Sequence, residues 1–222
     1  MGSAISSLSA ALSSTNAQDY DIVLTWHLLF RTLHRGTDTR LGLPPELILN
    51  IFRLAECTIP DYTLYAESNR PLVVRAHSAE LQRVFWFASP PFDAVTLGRL
   101  HSVQLRTHSH HQGWIDDLSA GVWSWFELAL ERPTQENQEH FALVSDVHSQ
   151  KALSWRSHTN PAEARNPTYL AGEVFGRDHP LWQHMRPGDR IVVFVCAQFS
   201  GWKNNALEGE LNVWRFFEPL LY

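Results

Sequence analysis

The side chains with the most chemical reach in this chain are aromatic, imidazole and carboxylate groups beside turn-forming glycines. Trp114 follows Gly113, Trp202 follows Gly201, and Trp123 and Trp125 come just after Gly121. Sugar rings stack their C–H faces on such rings, while amides and carboxylates bond the hydroxyls. Gln112, Asp116, Asp117, Asn204 and Asn205 are close enough in sequence to serve. A concave site with aromatic walls and a few polar groups is the usual architecture for a small ligand. The competing reading makes these tryptophans core. Trp123 and Trp125 favour it, because Phe126, Leu128 and Leu130 alternate with them and one set must face inward. For Trp114 and Trp202, each beside a turn glycine, both readings stand.

His108, His110 and His111 crowd into THSHHQGW. Clustered imidazoles are metal-ligand chemistry, with His101, His148 or His158 as a distant further partner. The spacing matches no structural zinc pattern and no cysteine is near, so no metal and no other cofactor is expected. His111 is read as bonding a ligand or a backbone carbonyl. Nucleophilic catalysis finds little support: there is no Gly-x-Ser-x-Gly elbow, and Cys196 lies in an apolar run where a thiol behaves as a small hydrophobe. Asp116 and Asp117 read as solvated or capping carboxylates, with acid–base work as the alternative. Glu127 follows Trp125-Phe126 in an otherwise apolar stretch, so it faces solvent or is buried with a partner. A buried carboxyl with a raised pKa would be a general acid. Glu127, His111 and Asp116 are therefore the catalytic candidates of a small-molecule enzyme reading. No phosphate-cradling glycine loop is present.

These groups need elements to hold them. From residue 59 to residue 222 the pattern is strand-like. The runs LVVRA (72–76), HSVQLRTH (101–108), WSWFELAL (123–130), FALVSDV (141–147), RIVVFVCAQF (190–199) and ELNVWRFF (210–217) are rich in β-branched and aromatic residues and are punctuated by Gly, Pro, Asn and Asp. In the fifth run Ile191, Val193 and Val195 alternate with Val192, Phe194 and Cys196, so a central strand covered on both faces is expected. Pro187-Gly188-Asp189 before it is a turn signature. The expected fold is mainly β, an antiparallel sandwich of jelly-roll type. Residues 19–58 differ. YDIVLTWHLLFRTLH (20–34) carries Ile22, Trp26, Leu29, Phe30 and Leu33 at helical spacing, with Gly36 as its stop. LGLPPELILNIFRLAEC (41–57) places Leu47, Ile48, Ile51, Phe52 and Ala55 on a second stripe, with Pro44 and Pro45 at its start. Residues 1–18 read as a Ser/Ala-rich disordered leader.

Composition bounds the partners. The 222 residues carry a formal net charge of −5 and no basic run, which argues against a nucleic-acid partner. Two cysteines make no disulfide framework, so a reducing, cytoplasmic setting is expected. No apolar run reaches the length of a membrane span. Met1-Gly2-Ser3-Ala4-Ile5-Ser6 fits the N-myristoylation pattern at Gly2. One acyl chain without a second signal gives at most weak, peripheral membrane association.

Two stretches resemble known families. LPPELILNIFRLAE (43–56) is similar to the opening of an F-box, a helical motif that docks onto the adaptor subunit of ubiquitin ligases. The strings SHHQGW (109–114), GVWSWFELAL (121–130) and RPGDRIVVFVCAQFSGWKNNALEGELNVW (186–214) resemble a family of fungal proteins with elements like His-x-Gln-Gly-Trp, Trp-Phe-Glu, Gly-Asp and Gly-Trp-x-Asn. The layout also resembles glycoprotein-recognising F-box proteins and the related phloem lectins. Those join an F-box-like segment to a galactose-binding-type β-sandwich that holds glycans through loop aromatics. The resemblance implies that Phe199, Trp202 and Lys203 sit in a sugar-holding loop, and that residues 43–56 meet a protein partner.

The combined expectation is a lectin-like binding module for a carbohydrate or other small polar ligand. Its ligand set is His111, Gln112, Trp114, Trp125, Phe199, Trp202, Lys203 and Asn204. An F-box-like interaction adaptor and an enzyme on a sandwich scaffold are the alternatives.

Overall fold

A computed structural model describes residues 21–113, 121–134, 140–146, 149–163 and 166–219. They divide into two compact units. One comprises the described residues up to Pro60 together with those from Trp214 onward, and the other is Asp61–Val213. Gly2, Trp114, Asp116 and Asp117 lie outside the described residues. No helix among the described residues is long and apolar enough to cross a membrane.

The first unit is helical. Residues 21–35 form α1. Gly36, at φ +71, ends it in the left-handed conformation that glycine adopts at little cost. A two-stranded hairpin follows, β1 (Gly36–Thr37) and β2 (Arg40–Leu41). Helix α2 spans Pro45–Leu54, with Pro44 extended at ψ 143 just before it. It is shorter than the 41–57 read from sequence, because a residue preceding proline is pushed out of the helical region. Phe30, Ile48, Phe52, Cys57, Ile59 and Phe217 form this unit's core, with Val23, Trp26, Leu33 and Leu43 packed against it. Burying Ile48 and Phe52 stabilises the unit by about 1.5–3 kcal/mol apiece. Ile22 and Leu29, expected on the buried stripe of α1, are exposed; the stripe is centred instead on Val23, Trp26, Phe30 and Leu33. Strand β3 (Thr58–Pro60) pairs with Trp214–Phe216, the end of the last strand, β13 (Lys203–Phe216). The chain's last described residues thus belong with the helices, which moves the boundary drawn at 58/59 from sequence.

The second unit is a two-sheet antiparallel β-sandwich. Its strands are β4 (Ala66–Ser68), β5 (Leu72–Arg75), β6 (Gln82–Ala88), β7 (Leu100–His111), β8 (Ser124–Pro133), β9 (Phe141–Leu143), β10 (Ser154–Thr159), β11 (Thr168–Phe175), β12 (Arg190–Ala197) and most of β13. Short helices α3 (Ala94–Arg99) and α4 (Leu181–His184) lie in the connections before β7 and β12. One sheet runs β10-β8-β12-β6, with β9 added on β8. The other runs β11-β7-β13, and β13 also pairs with β5 and β4. The orders β6-β12-β8-β10 and β5-β13-β7-β11 are those of an eight-stranded jelly roll, as the strand pattern implies.

Val103 and Leu105 of β7, Leu128 and Leu130 of β8, and Ile191, Val193 and Val195 of β12 meet between the sheets. The alternate residues Val192, Phe194 and Cys196 form a second layer with Trp125 and Ala129 on the outer side of the β8 sheet. Arginines cover that layer: the Arg83 guanidinium lies 3.9 Å over the Phe194 ring and Arg156 lies 4.3 Å over Trp125. The arginine side chains shield the apolar surface, and the Arg83 guanidinium is itself largely buried against Glu127. At the start of β12, Asp189 is fully buried. It accepts both arms of Arg132, at 2.8 and 2.7 Å, and the Arg186 N–H at 2.8 Å. The Pro187-Gly188-Asp189 turn is therefore a structural clamp.

Candidate functional site

Jelly-roll winding brings four connections to one end of the sandwich. Their described residues are 76–81 (β5 to β6), 112–113 and 121–123 (β7 to β8), 160–163 and 166–167 (β10 to β11) and 198–202 (β12 to β13). The ladders show why. Arg75 pairs with Lys203, Ala197 with both Gln82 and Ser124, Thr159 with Trp125, and Thr168 with Ser109. Every one of these pairs sits at the last rung before a loop or within two residues of it.

The 198–202 loop is held on both sides. The Ala76 N–H donates to the Trp202 carbonyl at 3.0 Å and the Gly201 N–H to the Ala76 carbonyl at 3.2 Å. The Gln198 N–H donates to the Trp123 carbonyl at 3.0 Å, and its Nε2 donates to the Ala79 carbonyl at 3.0 Å. The Lys203 N–H donates to Gln112 Oε1 at 3.2 Å. Within this frame Phe199 has φ +66, in the left-handed region. A bulky residue there is strained by about 1–3 kcal/mol. Its ring is 36% exposed and meets Trp123 edge to face, with centroids 4.5 Å apart and planes at 79°. Trp202 is half-buried, its ring centroid 6.1 Å from that of His111. The loop end thus presents an aromatic pair, a neighbouring indole and the Lys203 side chain on a hydrogen-bonded frame.

Several residues read from sequence as ligand groups are parts of that frame. His111 is 1% exposed. Its Nδ1 accepts the Gly113 N–H at 3.0 Å and its Nε2 donates to the Ala162 carbonyl at 3.1 Å, which fixes the proton on Nε2. Burial holds its pKa below the ordinary imidazole value, against an opposing contribution from the Ala162 bond. His111 therefore straps Ala162 to β7, the carbonyl-bonding half of the sequence expectation. Asn204 is fully buried, donating to the Trp125 and Cys196 carbonyls at 2.9 and 3.2 Å and accepting from Asn160 at 3.0 Å. Both of its polar atoms are spent inside the sandwich. Trp125 is 3% exposed in the outer layer of the β8 sheet, where Trp123 packs against the same cluster. Gln112 braces Lys203 through its side-chain carbonyl. Phe199, Trp202 and Lys203 are the members of the expected set whose side chains remain at the loop surface.

Glu127 is largely buried and has partners. Its Oε1 accepts the Trp125 Nε1–H at 2.7 Å and its Oε2 lies 3.2 Å from Arg83 Nε. The carboxylate pins Arg83 over Phe194. Burial pushes both thiols, Cys57 and Cys196, above their ordinary pKa, which removes thiolate at neutral pH. His108 faces the outside of the β7 sheet, stacked on Tyr169 at 4.2 Å, whereas His111 faces inward. Alternation along one strand separates these two imidazoles. No group of three His, Cys, Asp or Glu residues converges as metal ligands among the described residues.

Behind the loops is a polar chain that the sequence reading missed. Thr107 Oγ1 bonds His158 Nε2 at 2.8 Å and Ser109 Oγ at 3.0 Å. Ser109 Oγ donates to Asn160 Oδ1 at 2.9 Å. Asn160 Nδ2 donates to Ser124 Oγ at 3.1 Å and to Asn204 Oδ1 at 3.0 Å. His158 also meets Ser157 Oγ at 3.0 Å and stacks on Phe126. Burial lowers its pKa to about 4. The available signal was periodicity: Thr107, Ser109 and His111 continue the inward set begun by Val103 and Leu105. The chain joins both sheets beneath the loops and stiffens the end that carries Phe199.

No family model matches this chain, and no curated protein or solved structure matches it.

Proposed function

We propose that the sandwich is a lectin-like binding module that takes a carbohydrate or similar hydroxyl-rich ligand at the loop end. One observation carries this reading: Phe199 is held in a strained left-handed conformation, partly exposed, against the edge of Trp123. The hydrophobic effect alone would turn that ring inward, and an asparagine or glycine would suit its backbone better. A frame that fixes a bulky ring outward at such a cost supports a ligand-facing role. The C–H face of a pyranose stacks on Phe199 and Trp202, with Lys203 and loop backbone groups bonding its hydroxyls. That jelly rolls also house lectins is an argument by analogy and adds only modest weight. The test is a glycan-array screen of the protein beside Phe199→Ala and Trp202→Ala. The reading expects specific binding that both variants lose. Silence from the folded wild type, or binding that both variants keep, refutes it.

A second reading concerns the helical unit. Leu47, Ile51 and Leu54 of α2 are 50%, 41% and 87% exposed, one stripe at helical spacing. Such a stripe favours docking on a protein partner, as the F-box-like resemblance of residues 43–56 implies. Co-purification with a ubiquitin-ligase adaptor, lost in Ile51→Glu, is the expected result. Equal recovery of both forms, or no complex at all, counts against it.

A further inference from the structure

The outer face of the β7 sheet carries a cleft of about 310 Å³ remote in sequence from the loop-end residues, lined by Arg106, His108, Tyr169, Ala171, Glu208 and Glu210 among others. Its volume is near the lower end of small-ligand pockets, so the occupant is a small molecule. One wall is aromatic: Tyr169 is 63% exposed and lies parallel to His108, 4.2 Å away with planes at 10°. The Tyr169 hydroxyl donates to Glu208 Oε2 at 3.2 Å, which orients that carboxylate. His108 Nδ1 lies 4.0 Å from the same oxygen and makes no hydrogen bond.

The cleft holds one guanidinium, Arg106, and two carboxylates, Glu208 and Glu210. Arg106 of β7 and Glu210 of β13 line the same space, yet neither is ion-paired or hydrogen-bonded through its side chain to another described residue. A guanidinium and a carboxylate facing one cleft without pairing are complementary to a molecule carrying both charges. We propose that this cleft binds a small zwitterion of the α-amino-acid type. Its carboxylate meets the planar Arg106 fork, the geometry in which arginine binds carboxylates best. Its ammonium meets Glu208 and Glu210 and lies against the Tyr169 ring, where cation–π attraction adds to the ion pairs. Its side chain rests beside Leu170 and Ala171, at the edge of the same cleft. A neutral sugar would use the hydrogen-bonding atoms but would leave both charges uncompensated.

The experiment is ligand-observed NMR and calorimetry of the full chain with the twenty free L-amino acids in pools. Any binder is then followed as its N-acetyl and carboxamide derivatives. At least one free amino acid is expected to bind, and blocking either end should weaken it tenfold or more. Arg106→Met and Glu210→Gln should each weaken it tenfold or more. Tyr169→Leu, which leaves both charges in place, should weaken it several-fold. The wild-type melting profile identifies variants that remain folded, and the blocked ligands test the same contacts without any variant. Absence of amino-acid binding to the folded chain at millimolar concentration overturns the proposal. So does equal affinity for the blocked derivatives, or binding that survives both charge variants. Binding of neutral oligosaccharides in this cleft, unaffected by Arg106→Met and Glu210→Gln, overturns the zwitterion assignment as well.

Discussion

Acidification should weaken the sandwich through His158 in particular. The imidazole is largely buried, bonded to Thr107 and Ser157, and its pKa falls to about 4. In the unfolded chain a histidine titrates at about 6.5. The unfolded state therefore binds the proton first, and stability falls as the pH drops from about 6.5 towards 4. With those two values, the loss between about pH 7.5 and pH 5 comes to about 2 kcal/mol, and it saturates near 3 kcal/mol below about pH 4. The chain has twelve histidines, and His111 and His179 are also lowered by burial, so wild type alone does not isolate the effect. His158→Gln does. The assay is urea unfolding of both proteins at the two pH values. The variant starts less stable by about 1–3 kcal/mol, from lost bonding and stacking. Its further loss on acidification should be smaller than that of wild type by about 2 kcal/mol. Parallel pH profiles for the two proteins would refute the assignment of the buried neutral imidazole.

Other outcomes follow from the same contacts. Asn204→Leu takes a donor from the Trp125 and Cys196 carbonyls and one of two acceptors from the Asn160 amide; it should cost about 2–4 kcal/mol by chemical denaturation, and a loss under about 0.5 kcal/mol would show the polar chain to be dispensable. Asp189→Ala removes the acceptor of the Arg132 fork and should cost about 3 kcal/mol, read as a lower urea midpoint with an unchanged m-value. A Cβ at Gly209 would come within 2.5 Å of the Trp86 ring, so Gly209→Ala should destabilise by about 1–3 kcal/mol, visible in the thermal midpoint. Phe199→Asn exchanges a strained backbone for one that tolerates the left-handed region and gives up the Trp123 contact. Its stability should stay within about 1 kcal/mol of wild type while glycan binding is lost.

How much of this was legible depended on which physical signal each residue sent. The fully apolar run of β12 announced a strand buried on both faces, and both faces are covered. β6, β10 and β11 were missed because their alternation is broken by outward-facing Arg83, by polar Ser157 and His158 facing the core, and by Gly172 with a bulge beside it. SWRSHT lacks the apolar alternation that marks a strand, although Thr107 and Phe126 meet its histidine. Glu127 was legible as either solvated or paired, and only the cross-strand position of Arg83 decides. For His111, Trp125 and Asn204 the residue types were right for ligand binding but the pleat direction was not readable from a short motif. Each of the three turns inward or onto the outer layer of the β8 sheet, and their polar atoms are consumed by protein neighbours: Glu127 for Trp125, Gly113 and Ala162 for His111, and Trp125, Cys196 and Asn160 for Asn204.

The proposed ligand surface is the loop end, with Phe199 within it. The most direct measurement follows the side-chain indole N–H signals of the nine tryptophans during titration with chitotriose, lactose, cellotriose and mannotriose. The Trp123 and Trp202 signals should shift saturably with at least one sugar, those of Trp86 and Trp125 should stay in place, and Phe199→Ala should abolish the shifts. Saturable shifts confined to other tryptophans, or no shift with any sugar, would contradict the account.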